Sequence, residues 1–389
     1  MMLCASSLLG CQATKGKTHK QWVDNADTRW KEVRSTAKLN SAIDAFEAGA
    51  IDRAEAIVSE AAGIDPTNPK LHLLSGRIAL ERSQLERAYS LFELSNQLDP
   101  ERADGHYYRG VVLQRWKQHE LALEAYEKAY KIDPENPARL LAVGETLAEL
   151  DRAPQAIERL EEKKFYYGHN AGVRALLGHL YRMTDRHGLA AESFLQATLL
   201  DPENLRLQEE LAFSQTDAQR FSEASQTLRS LLDRPEYETR ADLKRSLARA
   251  ETENGRLKEA RQIYIDLTRA DPTHTADWLR LGEIAWKLQD NGGALIAANR
   301  AITLSPQREE GYLLAGMVWQ KRGRVEDALE MFDRAAELAP TDATPLILRG
   351  ISLQKTDRIA AATEAYEEAL RRDPSDNRAQ RLLAQVTAR

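Results

Sequence analysis

An all-α fold of repeated helical hairpins is predicted by three features of one frame. Ala54, Ala88, Ala122, Ala156, Ala190, Ala224, Ala260, Ala294, Ala328 and Ala362 stand 34 residues apart, with a single step of 36. Twelve places before each stands a small residue: Ala42, Gly76, Gly110, Gly144, Gly178, Ala212, Ala248, Gly282, Gly316 and Gly350. Twelve places after eight of them stands a proline, at Pro66, Pro100, Pro134, Pro202, Pro272, Pro306, Pro340 and Pro374, six of these within Asp-Pro. A period of this length marks stacked supersecondary units rather than one globular core.

Each unit reads in the same order. Its first stretch carries apolar residues at helical spacing, as at Leu313, Leu314 and Met317. Its second does the same, as at Ala328, Met331, Phe332 and Ala335. The small pair marks the crossing, because antiparallel helices approach closely only where neither carries bulk. Glycine within a helix costs about 1 kcal/mol against alanine. Its use at seven of the ten places predicts that a methyl group would clash there. The proline breaks the second helix. One hairpin buries too little apolar surface to offset the ordering of its backbone, so stability must come from stacked neighbours.

These residues resemble the tetratricopeptide repeats. Unit eight offers Trp278, Leu281, Gly282, Ala294, Ala301 and Pro306, and unit five offers Leu177, Gly178, Tyr181, Ala190, Phe194, Ala197 and Pro202. The resemblance divides residues 35–376 into ten units and implies a right-handed superhelical solenoid. It weakens at residues 161–170 (EEKKFYYGHN), which replace a proline turn just after Lys163 takes an alanine's place among them. It weakens again at residues 233–240 (DRPEYETR), where two residues are inserted and Leu231 and Leu267 replace small ones nearby. Two readings stand for these breaks: Phe165, Tyr166 and Tyr167 fill the first joint, or the breaks are bends and contact points.

The ends need lids, because terminal repeats require a polar outer face. Residues 377–389 are predicted to form a C-terminal capping helix, with Leu382, Leu383 and Val386 on the apolar side and Asn377 as its candidate start. Residues 22–34 (WVDNADTRWKEVR) are predicted to run as a helix into unit one, with Trp22, Val23 and Trp30 covering the first hairpin. A membrane-interface role for these aromatics is the alternative.

Residues 1–10 (MMLCASSLLG) are apolar but too short to span a bilayer, which takes about 20 residues. They read as the tail of a signal peptide. Leu8, Leu9, Gly10 and Cys11 (LLGC) resemble a bacterial lipobox, which implies lipidation at Cys11 and a lipidated tether and capping helix over residues 11–34. Removal of Cys4 with the signal would leave no free thiol, which suits an oxidising envelope compartment. Gln12 after the cysteine implies, by the same resemblance, the outer membrane. No Lys or Arg precedes the apolar run, a departure from secretory signals that keeps an ordinary cytoplasmic N-terminus as the alternative.

Composition excludes several classes. Charged residues are 29% and the net charge is −6, which argues against general nucleic-acid binding. There is no Gly-rich phosphate loop, no HExxH and no CxxC, and His169, His179 and His187 lack ligand spacing. No catalytic residue, metal, cofactor or small-molecule substrate is expected, so the chain is read as a non-enzyme.

Function is then expected on a surface. The resemblance places a protein-binding concave groove on the first helices, through their fifth and ninth residues. It implies partner contacts at Tyr107, Val111, Arg245, Arg249, Leu313, Met317, Ile347 and Ile351, with Trp286 at a twelfth position. Trp286 and the last four would form an apolar strip for a partner helix or extended peptide, or would instead pack on the neighbouring hairpin. Arg182, Arg245 and Arg249, offset by Glu209 and Glu210, would receive an acidic segment or carboxylate terminus. The Lys and Asn of the chaperone-binding two-carboxylate clamp are absent from these positions.

The expectation is a lipid-anchored envelope scaffold on the periplasmic side of an outer membrane, assisting assembly of a membrane, secretion or pilus complex. A soluble cytoplasmic adaptor binding peptide or helical segments is the alternative.

Overall fold

The computed structural model describes residues 19–388, and these fall into two compact units divided between Thr184 and Asp185. The described residues form 21 helices and no strand. The first unit holds α1 (His19–Glu47), α2 (Ile51–Ile64), α3 (Pro69–Glu81), α4 (Leu85–Leu98), α5 (Ala103–Arg115), α6 (His119–Ile132), α7 (Pro137–Glu149), α8 (Ala153–Glu162) and α9 (Ala171–Met183). The second opens with α10 (His187–Leu200), α11 (Leu205–Asp217), α12 (Phe221–Leu232), α13 (Ala241–Glu253), α14 (Leu257–Ala270) and α15 (Thr275–Lys287). It continues through α16 (Asn291–Leu304), α17 (Glu309–Lys321), α18 (Val325–Leu338), α19 (Thr344–Lys355) and α20 (Ile359–Arg372) to α21 (Asn377–Thr387). Up to α20, odd-numbered helices are the first of each repeat and even-numbered ones the second.

The turn inside a repeat has one conformation throughout. Five places before each repeat alanine the backbone has positive φ, with glycine at Gly49, Gly255 and Gly323 and φ of 56–63° at the other seven, from Ser83 to Asp357. Between repeats the second helix stops on the residue before proline, which cannot stay helical. Asp65, Asp99 and Asp201 have φ of −136°, −144° and −138° there. The freed proline carbonyl is then held from six residues on. His72, His106, Gln208, Trp278, Tyr312 and Gln380 each place a ring nitrogen, amide or hydroxyl 2.7–3.2 Å from it.

The crossing glycines meet rings rather than the repeat alanine. A methyl group at Gly76, Gly110, Gly316 or Gly350 would lie 2.4–2.7 Å from the ring of Phe92, Tyr126, Phe332 or Tyr366, each fully buried or nearly so. Where no aromatic stands there, a leucine of the next first helix fills the space: Leu176 against Gly144 and Leu314 against Gly282.

At the first irregular segment the structure divides the three aromatics. Tyr167 is buried, fills the joint and donates its hydroxyl to the Pro134 carbonyl, while Phe165 is fully exposed and Tyr166 mostly so. At the second, Tyr237 packs beside Leu231 and donates to Glu209 (2.6 Å), which also accepts from Arg240 (2.9 Å).

At the C-terminal end helix α21 starts at Asn377, and the residue before it, Asp376, is its cap; the Asp376 carboxylate accepts from the backbone N–H groups of Arg378 and Ala379. Leu382, Leu383 and Val386 do pack on the last hairpin. At the other end α1 begins to be buried only at Ser35 and Leu39. Trp22 and Trp30 do not cover the first hairpin, because the helix carries them beyond it, and both are exposed. The side chain of Val23 is outside those described, and Leu8 to Cys11 lie outside the described residues. No described helix is long and apolar enough to cross a membrane.

Candidate functional site

Within the second unit, first helices approach one another directly at α11/α13, α15/α17, α17/α19 and α19/α21, and no pair of second helices comes as close. The first-helix face is therefore the inner one. Helices α13 and α15 are held further apart than those pairs, and a cleft of about 700 Å³ opens between them. Tyr264 of α14, buried itself, lies at its floor.

The cleft walls are charged. Arg245, Ser246, Arg249 and Glu253 come from α13; Asp277, Arg280, Glu283 and Lys287 come from α15. Helical spacing puts both sets on one face, since residues three and four apart are neighbours. Arg280 pairs with Glu283 at 2.7 Å. Arg245 is turned to its own protein: Nε and Nη2 both donate to the buried Asp277 carboxylate at 2.9 Å. That bond first, despite some burial, raises the Arg245 pKa. Arg249 and Lys287 are exposed and have no ionic partner among the described residues.

The other residues expected to bind partners fare unequally. Ile347 is 3% exposed and packs with Leu346, Ala369 and Ala379. It is a core residue, because α21 and α20 close over it, and it cannot touch a partner. Ile351 is half-buried against the same cluster and the next one. Trp286 is half-buried beside Ala285 and Val318, with the Lys321 ammonium 4.6 Å from its ring centre. Leu313 and Met317 are half-buried on the inner face of α17. In the first unit Tyr107 is held beneath the Arg139 guanidinium at 4.4 Å and against Tyr108 and Tyr126. Val111 packs beside Phe92 and Val112. Of the expected set, the structure brings Arg245 and Arg249 together in the cleft and leaves Arg249 as the accessible charge.

Glu283 stands at a ninth position of its unit, whereas Arg280, Lys287 and Glu253 stand at neither a fifth nor a ninth position and were missed. The one irregularity the sequence shows nearby is the two-residue insertion near 233–240, just before α13.

Models of the tetratricopeptide repeat match residues 103–136, 171–204, 210–275, 245–309, 279–343 and 320–386. The chain belongs to the tetratricopeptide repeat family. No curated protein is similar enough in sequence to match it. Among solved structures, the C-terminal part of a TPR repeat-containing protein from Cytophaga hutchinsonii aligns with a TM-score of 0.50 at 16% identity, over 62% of this chain and 99% of that one. YrrB, described as a TPR protein with an unusual peptide-binding site, aligns at 0.41 and 21% identity over 49% of this chain and 98% of that one. Yeast Tom70 aligns at 0.43 and 13% identity over 92% and 89%. These likenesses concern the fold. This TPR chain is a protein-interaction scaffold, of a fold that is generally non-enzymatic. Among the described residues no group of His, Cys, Asp and Glu is placed to hold a metal.

Proposed function

We propose that this TPR protein is a lipid-anchored scaffold of a bacterial envelope, tethered through Cys11 on the periplasmic side of the outer membrane, that holds an acidic peptide segment of a client in the α13/α15 cleft during assembly of a membrane, secretion or pilus complex. The observation that carries the binding half is the pair Arg249 and Lys287, exposed in a cleft whose other close charges are largely paired. A guanidinium and an ammonium so placed favour carboxylates. Selection of a random dodecapeptide library on the chain should enrich Asp and Glu, and Arg249→Glu with Lys287→Glu should abolish that enrichment while far-UV circular dichroism is kept. Enrichment that ignores the double change moves the binding surface elsewhere.

The anchor half is supported by the LLGC motif before a polar stretch. Incorporation of radiolabelled palmitate, followed by membrane fractionation, tests it against Cys11→Ser. Label and membrane association lost in the variant support the anchor. No label and soluble behaviour in both chains favour the cytoplasmic adaptor instead.

A further inference from the structure

The N-terminal half of α1 is helix before its described side chains become buried. Every described side chain from Trp22 to Arg34 is exposed, and burial starts at Ser35. Trp22 is 63% exposed, Trp30 64% and Val33 63%. At about 100° per residue, Trp22, Ala26, Trp30 and Val33 share an arc of about 80°. With Arg29 and Asn25 they border a groove of about 430 Å³. Arg29 falls at one edge of that arc and Arg34 at the other, while Asp24, Asp27 and Glu32 fall on the far side.

The charge is as uneven as the hydrophobicity. Residues 15–34 contain six Lys and Arg against three acids, within a chain of net charge −6. Two tryptophans on one helical face bordered by arginines suit the headgroup region of a bilayer, where indole sits at the water boundary and guanidinium reaches outward to phosphate. An anionic surface adds attraction for the excess positive charge. A second copy of the helix fits less well, since the apolar arc covers under two heptads where a stable paired coil needs about three to four.

We propose that residues 19–34 lie along an anionic lipid surface, apolar arc downward, and so hold the TPR array close to the membrane. The inference rests on the proposed anchor only for proximity: the eight residues from Cys11 to His19 span at most about 28 Å, which keeps the helix within reach of the surface.

The test supplies the anchor chemically. The full chain with Cys4→Ser is coupled through Cys11 to maleimide lipid in vesicles of phosphatidylcholine and phosphatidylglycerol with brominated acyl chains, so the result does not depend on acylation in the cell. Bromine quenches indole fluorescence only at short range. Trp22→Phe with Trp30→Phe should remove at least about half of the quenching, and pure phosphatidylcholine should weaken it severalfold. Equal quenching of the two chains, no quenching in either, or equal quenching without phosphatidylglycerol overturns the proposal. A dimer of the uncoupled chain that Trp30→Asp dissolves would assign the face to a second copy and overturn it as well.

Discussion

The ring of Phe332 stands against Gly316, and a methyl group there would sit 2.5 Å from it. Because the ring is fully buried it cannot swing away, so Gly316→Ala is expected to cost about 1–3 kcal/mol in chemical denaturation. The opposite sign is expected in the turns. Gln289 has φ of 63°, a conformation that costs a side chain about 1 kcal/mol or more. Gln289→Gly should therefore be neutral to stabilising by up to about 1 kcal/mol, even after the entropy that glycine adds to the unfolded chain. Neighbouring arginines in the cleft separate structure from binding. Arg245→Ala leaves the buried Asp277 carboxylate with only His274 beside it (3.0 Å) and should lower stability by about 3 kcal/mol, whereas Arg249→Ala should leave stability in urea within about 0.5 kcal/mol of the parent. Equal effects of the two changes would refute the assigned roles.

At the scale of elements, α21 acts through its cap and its apolar stripe. The Arg378 side chain, hydrogen bonded to Asp376, and the backbone N–H groups of Ala379 and Arg378 push the Asp376 carboxyl down to about 2. Its ordinary value is about 3.9. A carboxyl with a lower pKa when folded stabilises fully above its unfolded value and loses that contribution as pH falls through the folded one. The last helix should therefore loosen between about pH 4 and pH 2, and Asp376→Ala should cost about 1 kcal/mol at pH 7 and nothing below pH 2. Amide hydrogen exchange over α21 reads both effects; a variant difference that persists at pH 2 would show that the carboxylate is not the cause. The elements between repeats owe their placement to the proline carbonyl latch. It also accounts for His72 and His106, whose rings bond Pro66 and Pro100.

Within each unit successive helices touch one another, so stability there is carried by hairpins and the interfaces between successive ones. A local defect should then fade with distance along the array. In native-state hydrogen exchange, Gly316→Ala should lower protection most in α17 and α18, less in α15 and α20, and not at all in α3 to α6. Uniform loss across both units would mean a single cooperative body. In the second unit adjacent first helices are spread at α13/α15, and the cleft there leaves Arg249 and Lys287 exposed.

The repeat frame and the helical hairpin were legible in the residues, because burial on a helix face repeats with the chain and needs only local spacing. The tightness at the glycines was legible too, although the partner is the ring four residues past the alanine rather than the alanine itself. Which inner-face residues stay open was not. Ile347 and Leu313 occupy the same repeat position, yet one is core and the other half-buried, because exposure depends on how closely a neighbouring helix comes. Arg245 and Arg249 likewise differ only through Asp277, 32 residues away from the first. Spacing along a chain fixes what each helix can bury; the distance between helices, set by packing across repeats, decides what is left for a partner.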